Sequence, residues 1–82
     1  MNQQKQKTLT ALGNLIKKHR INLGISQEEL GFRSNLDRTY ISGIERGIRN
    51  PSLTALVSLA QGLNITTGEL LTNLEDEVNQ LK

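Results

Sequence analysis

The sequence predicts an all-α domain of five helices, and three observations predict it. Apolar residues recur at spacings of three and four along most of the 82 residues, which is the repeat of one helix face. Residues that cap helix N-termini precede most of these stretches, and glycines follow two of them. Signals for strands are absent, whereas helix signals recur every ten to fifteen residues or so. A second hydrophobic core would not fit in this length, so one domain is expected.

The first helix is expected over Thr8 to Leu23, with Leu9, Leu12, Ile16 and Leu23 on one face and Gly24 as its stop. Residues 1–7 are polar and are expected to be a disordered extension. Ser26-Gln27-Glu28-Glu29 reads as a capping box that opens a short second helix ending near Ser34. Asn35, which tolerates a left-handed backbone, stands where the chain must turn. The third helix runs from an N-cap at Asp37 to about Arg46 and is closed by Gly47. Gly47 to Pro51 is a loop, and Ser52 caps the fourth helix, whose buried stripe is Leu53, Leu56, Val57, Ala60 and Leu63. Thr66-Thr67-Gly68-Glu69 is a second capping box, opening a fifth helix that runs toward Leu81. Residues 8–82 are thus one helical domain.

Composition excludes several functions. With no cysteine and one histidine, neither disulfides nor a structural zinc site can form, and no cofactor is expected. No apolar run approaches the ~18 residues of a membrane span. The N-terminus lacks the apolar centre of a secretory signal, so a cytoplasmic protein is expected. His19 lies between Lys18 and Arg20 with no carboxylate or nucleophile arranged beside it, and no glycine-rich phosphate loop or paired acids occur. An enzyme is not expected. The net charge of +2 is unevenly spread: residues 1–35 carry +4, residues 36–51 carry +1 and residues 52–82 carry −3. A polyanion would meet the N-terminal part of such a fold.

The second and third helices carry the functional signal. Only Ser34 to Leu36 separate them, so they must cross steeply, with Leu30, Leu36, Ile41 and Ile44 as the apolar wedge and Gly31 at a close approach. At 100° per residue, Ile41 and Ile44 of the third helix point one way, with Tyr40 at their edge. Arg38, Thr39, Ser42, Gly43 and Arg46 point the other way, and that face suits a DNA groove. Arginine can pair with a guanine edge through two donors, threonine offers a methyl to thymine, and Gly43 lets the groove wall approach. Gln27, in the first turn of the second helix, is placed for a phosphate, as are Tyr40, Arg46, Arg49 and Asn50.

The chain resembles the phage repressor and Cro-like helix-turn-helix proteins, also called Xre-like, over about residues 9–72. The resemblance rests on Ser26-Gln27-Glu28-Glu29-Leu30, Gly31, Asn35-Leu36, Tyr40-Ile41-Ser42-Gly43-Ile44-Glu45-Arg46-Gly47, Pro51-Ser52-Leu53 and the segment Leu63 to Leu71. It implies a lambda-repressor-like fold with the helix of residues 38–46 in the major groove, Gln27 on a phosphate, and a structural ion pair between Arg20 and Glu45. Within the family, Ser34 to Arg46 is most similar to controller proteins of restriction-modification systems, which implies a transcription regulator that binds operator DNA as a dimer. A phage or plasmid repressor, an autoregulating antitoxin, and a protein-interaction module that has lost DNA binding are the alternatives. Leu70, Leu74, Val78 and Leu81 fall within one arc of the fifth helix and are the expected homodimer interface, giving a palindromic DNA site. RNA polymerase is a further candidate partner, for which Glu28, Glu29 or the loop after the third helix would supply the surface.

Overall fold

Six helical segments follow one another in the computed structural model, which describes residues 3–81. They are α1 (Gln3–Leu23), α2 (Gln27–Ser34), α3 (Arg38–Glu45), α4 (Leu53–Gly62), α5 (Thr67–Leu71) and α6 (Leu74–Gln80). No strand occurs among the described residues. Side-chain caps explain most of the starts. Ser26 Oγ accepts from Glu29 N at 2.9 Å, Asp37 Oδ1 from Thr39 N at 2.8 Å, and Ser52 Oγ from Ala55 N at 3.1 Å. Each satisfies an N–H that the first helical turn leaves free. Thr66 and Glu69 close the complete reciprocal box. At Ser26 only half of the expected box forms, because the Glu29 carboxylate turns forward to accept from Arg33 Nε at 3.0 Å. Asn35 does adopt the left-handed conformation, with φ 57°.

Two boundaries differ from expectation. The segment read as disordered is helical from Gln3, while Met1 and Asn2 lie outside the described residues. A tertiary contact accounts for this: Gln6 Nε2 donates to Gly47 O and to Thr10 Oγ1, each at 3.2 Å, tying the start of α1 to the loop after α3. The expected fifth helix is present as two pieces. Thr72 Oγ1 bonds back to Gly68 O at 2.7 Å, and Asn73 leaves helical geometry at φ −102°, ψ 17°. The break turns α6 back onto α1, where Lys18 pairs with the buried Glu77.

The core joins α1 to α5 through Leu12, Ile16, Leu30, Ile41, Ile44, Leu59, Ala60, Leu63 and Leu70. Each fully buried Leu or Ile contributes roughly 1.5–3 kcal/mol. Leu70 is therefore a core residue with no exposed surface, which removes it from the expected dimer interface. Leu74, Val78 and Leu81 stay half-buried, and Leu74 packs against the core. The stripe on α4 is also rotated from expectation. Ala55 and Leu59 are buried, whereas Leu53 is 71% and Val57 38% exposed. Close packing on α2 sets this rotation: a Cβ on Gly62 would lie 3.1 Å from Leu30 Cδ1 and 3.4 Å from Ser34 Cβ. Similarly, Leu23 is 39% exposed while Ala11 and Leu15 are buried in its place.

Candidate nucleic-acid interface

The turn between α2 and α3 has no room for a side chain at its base. A Cβ on Gly31 would come within 2.6 Å of Leu36 O, so the close approach is of the turn's backbone, with α3 slightly farther away. Leu30, Ile41 and Ile44 are fully or almost fully buried between the helices, and Leu36 packs against them, as the wedge requires.

The inner side of α3 is locked to its neighbours by one carboxylate. Arg20 Nε donates to Glu45 Oε2 at 2.7 Å and Arg20 Nη2 to Glu45 Oε1 at 3.0 Å, so the pair is two-pronged. Arg20 Nη1 also donates to Ile25 O at 3.0 Å. The side chains are 12% and 3% exposed. The hydrogen bond to Glu45 raises the Arg20 pKa above its already high ordinary value, against the lowering effect of burial. The expected structural pair is thus present. Gln27, expected on a phosphate, here donates from Nε2 to the same Glu45 Oε1 at 3.0 Å. Behind this lock, α1 reaches α3 at Gly13, where a Cβ would lie 2.4 Å from Ile44 O and 2.6 Å from Glu45 O.

The outer side is open. Arg38, Thr39 and Arg46 are exposed and Ser42 is half-buried. Thr39 Oγ1 donates to Asp37 Oδ1 at 2.6 Å, which fixes its rotamer. That bond and the one from the Thr39 backbone hold the Asp37 carboxyl below its ordinary range. Arg46 Nε donates to Ser42 O at 3.3 Å. Tyr40 is half-buried against the core, and Arg49 and Asn50 are exposed in the loop. Gly43 does not belong to this outer set. It is buried, because the stem of Arg49 lies across it, with Cγ 2.4 Å from where a Cβ would stand. The structure therefore withdraws Gly43 as a base-reading position. Sequence reasoning missed Gly13 and the Gly43–Arg49 contact; the available signal was a glycine inside each helix, a placement that costs stability unless something packs there.

A family model described as helix-turn-helix matches residues 16–70, and the chain belongs to that family. Among its members, the chain is similar to controller proteins of restriction-modification systems. Control protein C.MunI from Mycoplasma sp. is 46% identical over 66 residues, 79% of this chain and 89% of that protein. The structure of controller protein C.AhdI from Aeromonas hydrophila matches with a TM-score of 0.74 and 45% identity, covering 76% of this chain and 94% of that one. Controller protein C.Esp1396I, solved as a tetramer in complex with its natural 35 base-pair operator, matches with a TM-score of 0.80 and 40% identity over 88% and 95% of the two chains. No helix among the described residues is long and apolar enough to cross a membrane.

Proposed function

We propose that this protein is a restriction-modification controller: a cytoplasmic transcription regulator that binds palindromic operator DNA as a homodimer. The observation that carries the reading is the two-sidedness of α3. Its inner side is fixed by Glu45 and Gly13, and its outer side holds exposed Arg38, Thr39 and Arg46 around Ser42. Arg38, Thr39 and Ser42 are the base-reading set. Arg46, Arg49, Asn50 and Tyr40 hold phosphates, joined by Gln27 through whatever part of its amide Glu45 leaves free. The similarity to controller proteins, one of them solved on its operator, supports the subtype.

One α3 serves one half-site. Half-sites lie about 34 Å apart, and the longest dimension of the protomer is 32 Å, so a palindrome calls for two chains. Exposed Leu53 and Val57, one turn apart on α4, supply the pairing surface in place of buried Leu70. Half-buried Leu74, Val78 and Leu81 on α6 are the second choice. RNA polymerase would be met by Glu28 and Glu29, both exposed on α2.

Selection of bound duplexes from a random-sequence DNA pool tests the reading. A two-fold symmetric motif is expected. Arg38→Ala should relax preference at one base position at a cost of ~1–3 kcal/mol. Arg46→Ala should weaken all sequences alike and reduce the salt slope by about one. The same motif from wild type and Arg38→Ala would refute base reading by Arg38. Leu53→Glu should leave a monomer in sedimentation, and a monomer from Leu74→Glu instead would move the pairing surface to α6.

A further inference from the structure

We propose that Gly43 is a positioning residue, acting on DNA through the side chain of Arg49; this rests on the DNA-binding reading above. Two sets of contacts bind Arg49 to Gly43. The Gly43 carbonyl accepts from Ile48 N at 3.0 Å and from Arg49 N at 3.2 Å, which folds the loop back over the helix and fixes the root of the side chain. The stem then occupies the space a Cβ would take at Gly43. Arg49 Cγ, Cβ and Cδ lie 2.4, 3.4 and 3.6 Å from that point, and apart from the adjoining residues Ser42 and Ile44 and the nearby helix backbone no atom lies nearer. Root and stem are therefore held by one residue that contributes no side chain.

The charged end is treated differently. Arg49 is exposed, and among the described residues its guanidinium has no hydrogen bond or ion pair. It is a cation whose first torsions are preset and whose head is left unspent, beside a helix whose outer face already carries Arg38 and Arg46. A long side chain free in solution must be ordered when it meets a phosphate or a base edge, and that ordering weakens binding. Here part of the ordering precedes contact. Glycine is required because any Cβ at this position meets Arg49 Cγ far inside van der Waals contact and drives the side chain to another rotamer. Nothing else crowds the position, and alanine suits a helix better than glycine, so Gly43→Ala should fold.

The test is a double-mutant cycle on the full chain, using the best duplex selected by wild type from a random 35 base-pair pool. Gly43→Ala should weaken binding about ten-fold and reduce the salt slope by about one, as if one phosphate contact had gone. Arg49→Ala should do the same. The double variant should bind like Arg49→Ala alone, because the glycine has nothing left to position. Losses that multiply, or an unchanged salt slope in Gly43→Ala, would overturn the proposal. A second measurement needs no DNA. Nitrogen relaxation at Arg49 Nε should show a more mobile group in Gly43→Ala than in wild type, and equal mobility would refute the seat itself. A wild-type chain that enriches no duplex would overturn the DNA reading, and with it the consequence for binding, while the relaxation measurement still judges the contact.

Discussion

Gly13 and Gly43 both sit inside helices and both lie against α3 or its loop, yet they meet different kinds of neighbour. Gly13 faces backbone: the carbonyl oxygens of Ile44 and Glu45 stand 2.4 and 2.6 Å from its would-be Cβ, and backbone cannot step aside. Gly43 faces the stem of Arg49, which can rotate away. The inner contact fixes where α3 lies relative to α1. The outer one fixes how a single side chain is presented. A helix-interior glycine can thus be a requirement of the fold or of the site, and the identity of its nearest atom separates the two.

Substitution at Gly13 should have the largest effect. Gly13→Leu must push α1 and α3 apart at their closest point, and we expect a loss of about 3 kcal/mol or more, a typical upper cost of overpacking. For a domain of this size that lowers the melting midpoint by roughly 12 °C or more. A melt unchanged from wild type would show that the two helices separate freely and that Gly13 is no different in kind from Gly43. Next comes Glu45→Ala, which strands Arg20 and Gln27 with unmet donors in a mostly buried place. Denaturant unfolding should show a loss of about 2–4 kcal/mol. Adding Arg20→Met should recover part of it, because the unpaired charge is then gone. Strictly additive losses would mean that the pair is not the inner lock.

The smallest effect is at the start of α3. The Asp37 carboxyl is held below its ordinary range by its bonds to Thr39, so the folded state binds its proton less readily than the unfolded chain does. Its contribution is complete above the unfolded carboxylate value of about 3.9 and fades as pH falls through the lower folded value. Asp37→Asn keeps a capping oxygen but has no such titration. The stability gap between the two proteins should therefore narrow from neutral pH to below about pH 4. A constant gap would assign Asp37 a purely uncharged capping role.

Much of the architecture was legible in the chain because it is written in local chemistry. The caps at Ser26, Asp37, Ser52 and Thr66 and the left-handed Asn35 each act within a few residues of themselves. The Arg20–Glu45 pair, 25 residues apart, could be anticipated only through family resemblance, since no spacing rule links them. What escaped depends on rotation and on distant neighbours. Helical periodicity admits Leu53 and Val57 as readily as Ala55 and Leu59, and only the close approach of α2 at Gly62 decides between them. The polar run Gln3 to Lys7 looks unstructured until Gln6 meets Gly47, 41 residues away. Helical periodicity puts Gly43 on the open face of α3, and nothing local reveals that Arg49 folds back over it.

One oxygen pair has wide reach. The Glu45 carboxylate takes two donors from α1 and one from α2 while itself belonging to α3, so three helices share a single hub. None of the outward residues Arg38, Thr39 and Arg46 donates to it. If these residues read bases as proposed above, substitutions among them would retune which operator is chosen while the pose stays put, so the choice of target and the build of the scaffold can vary separately.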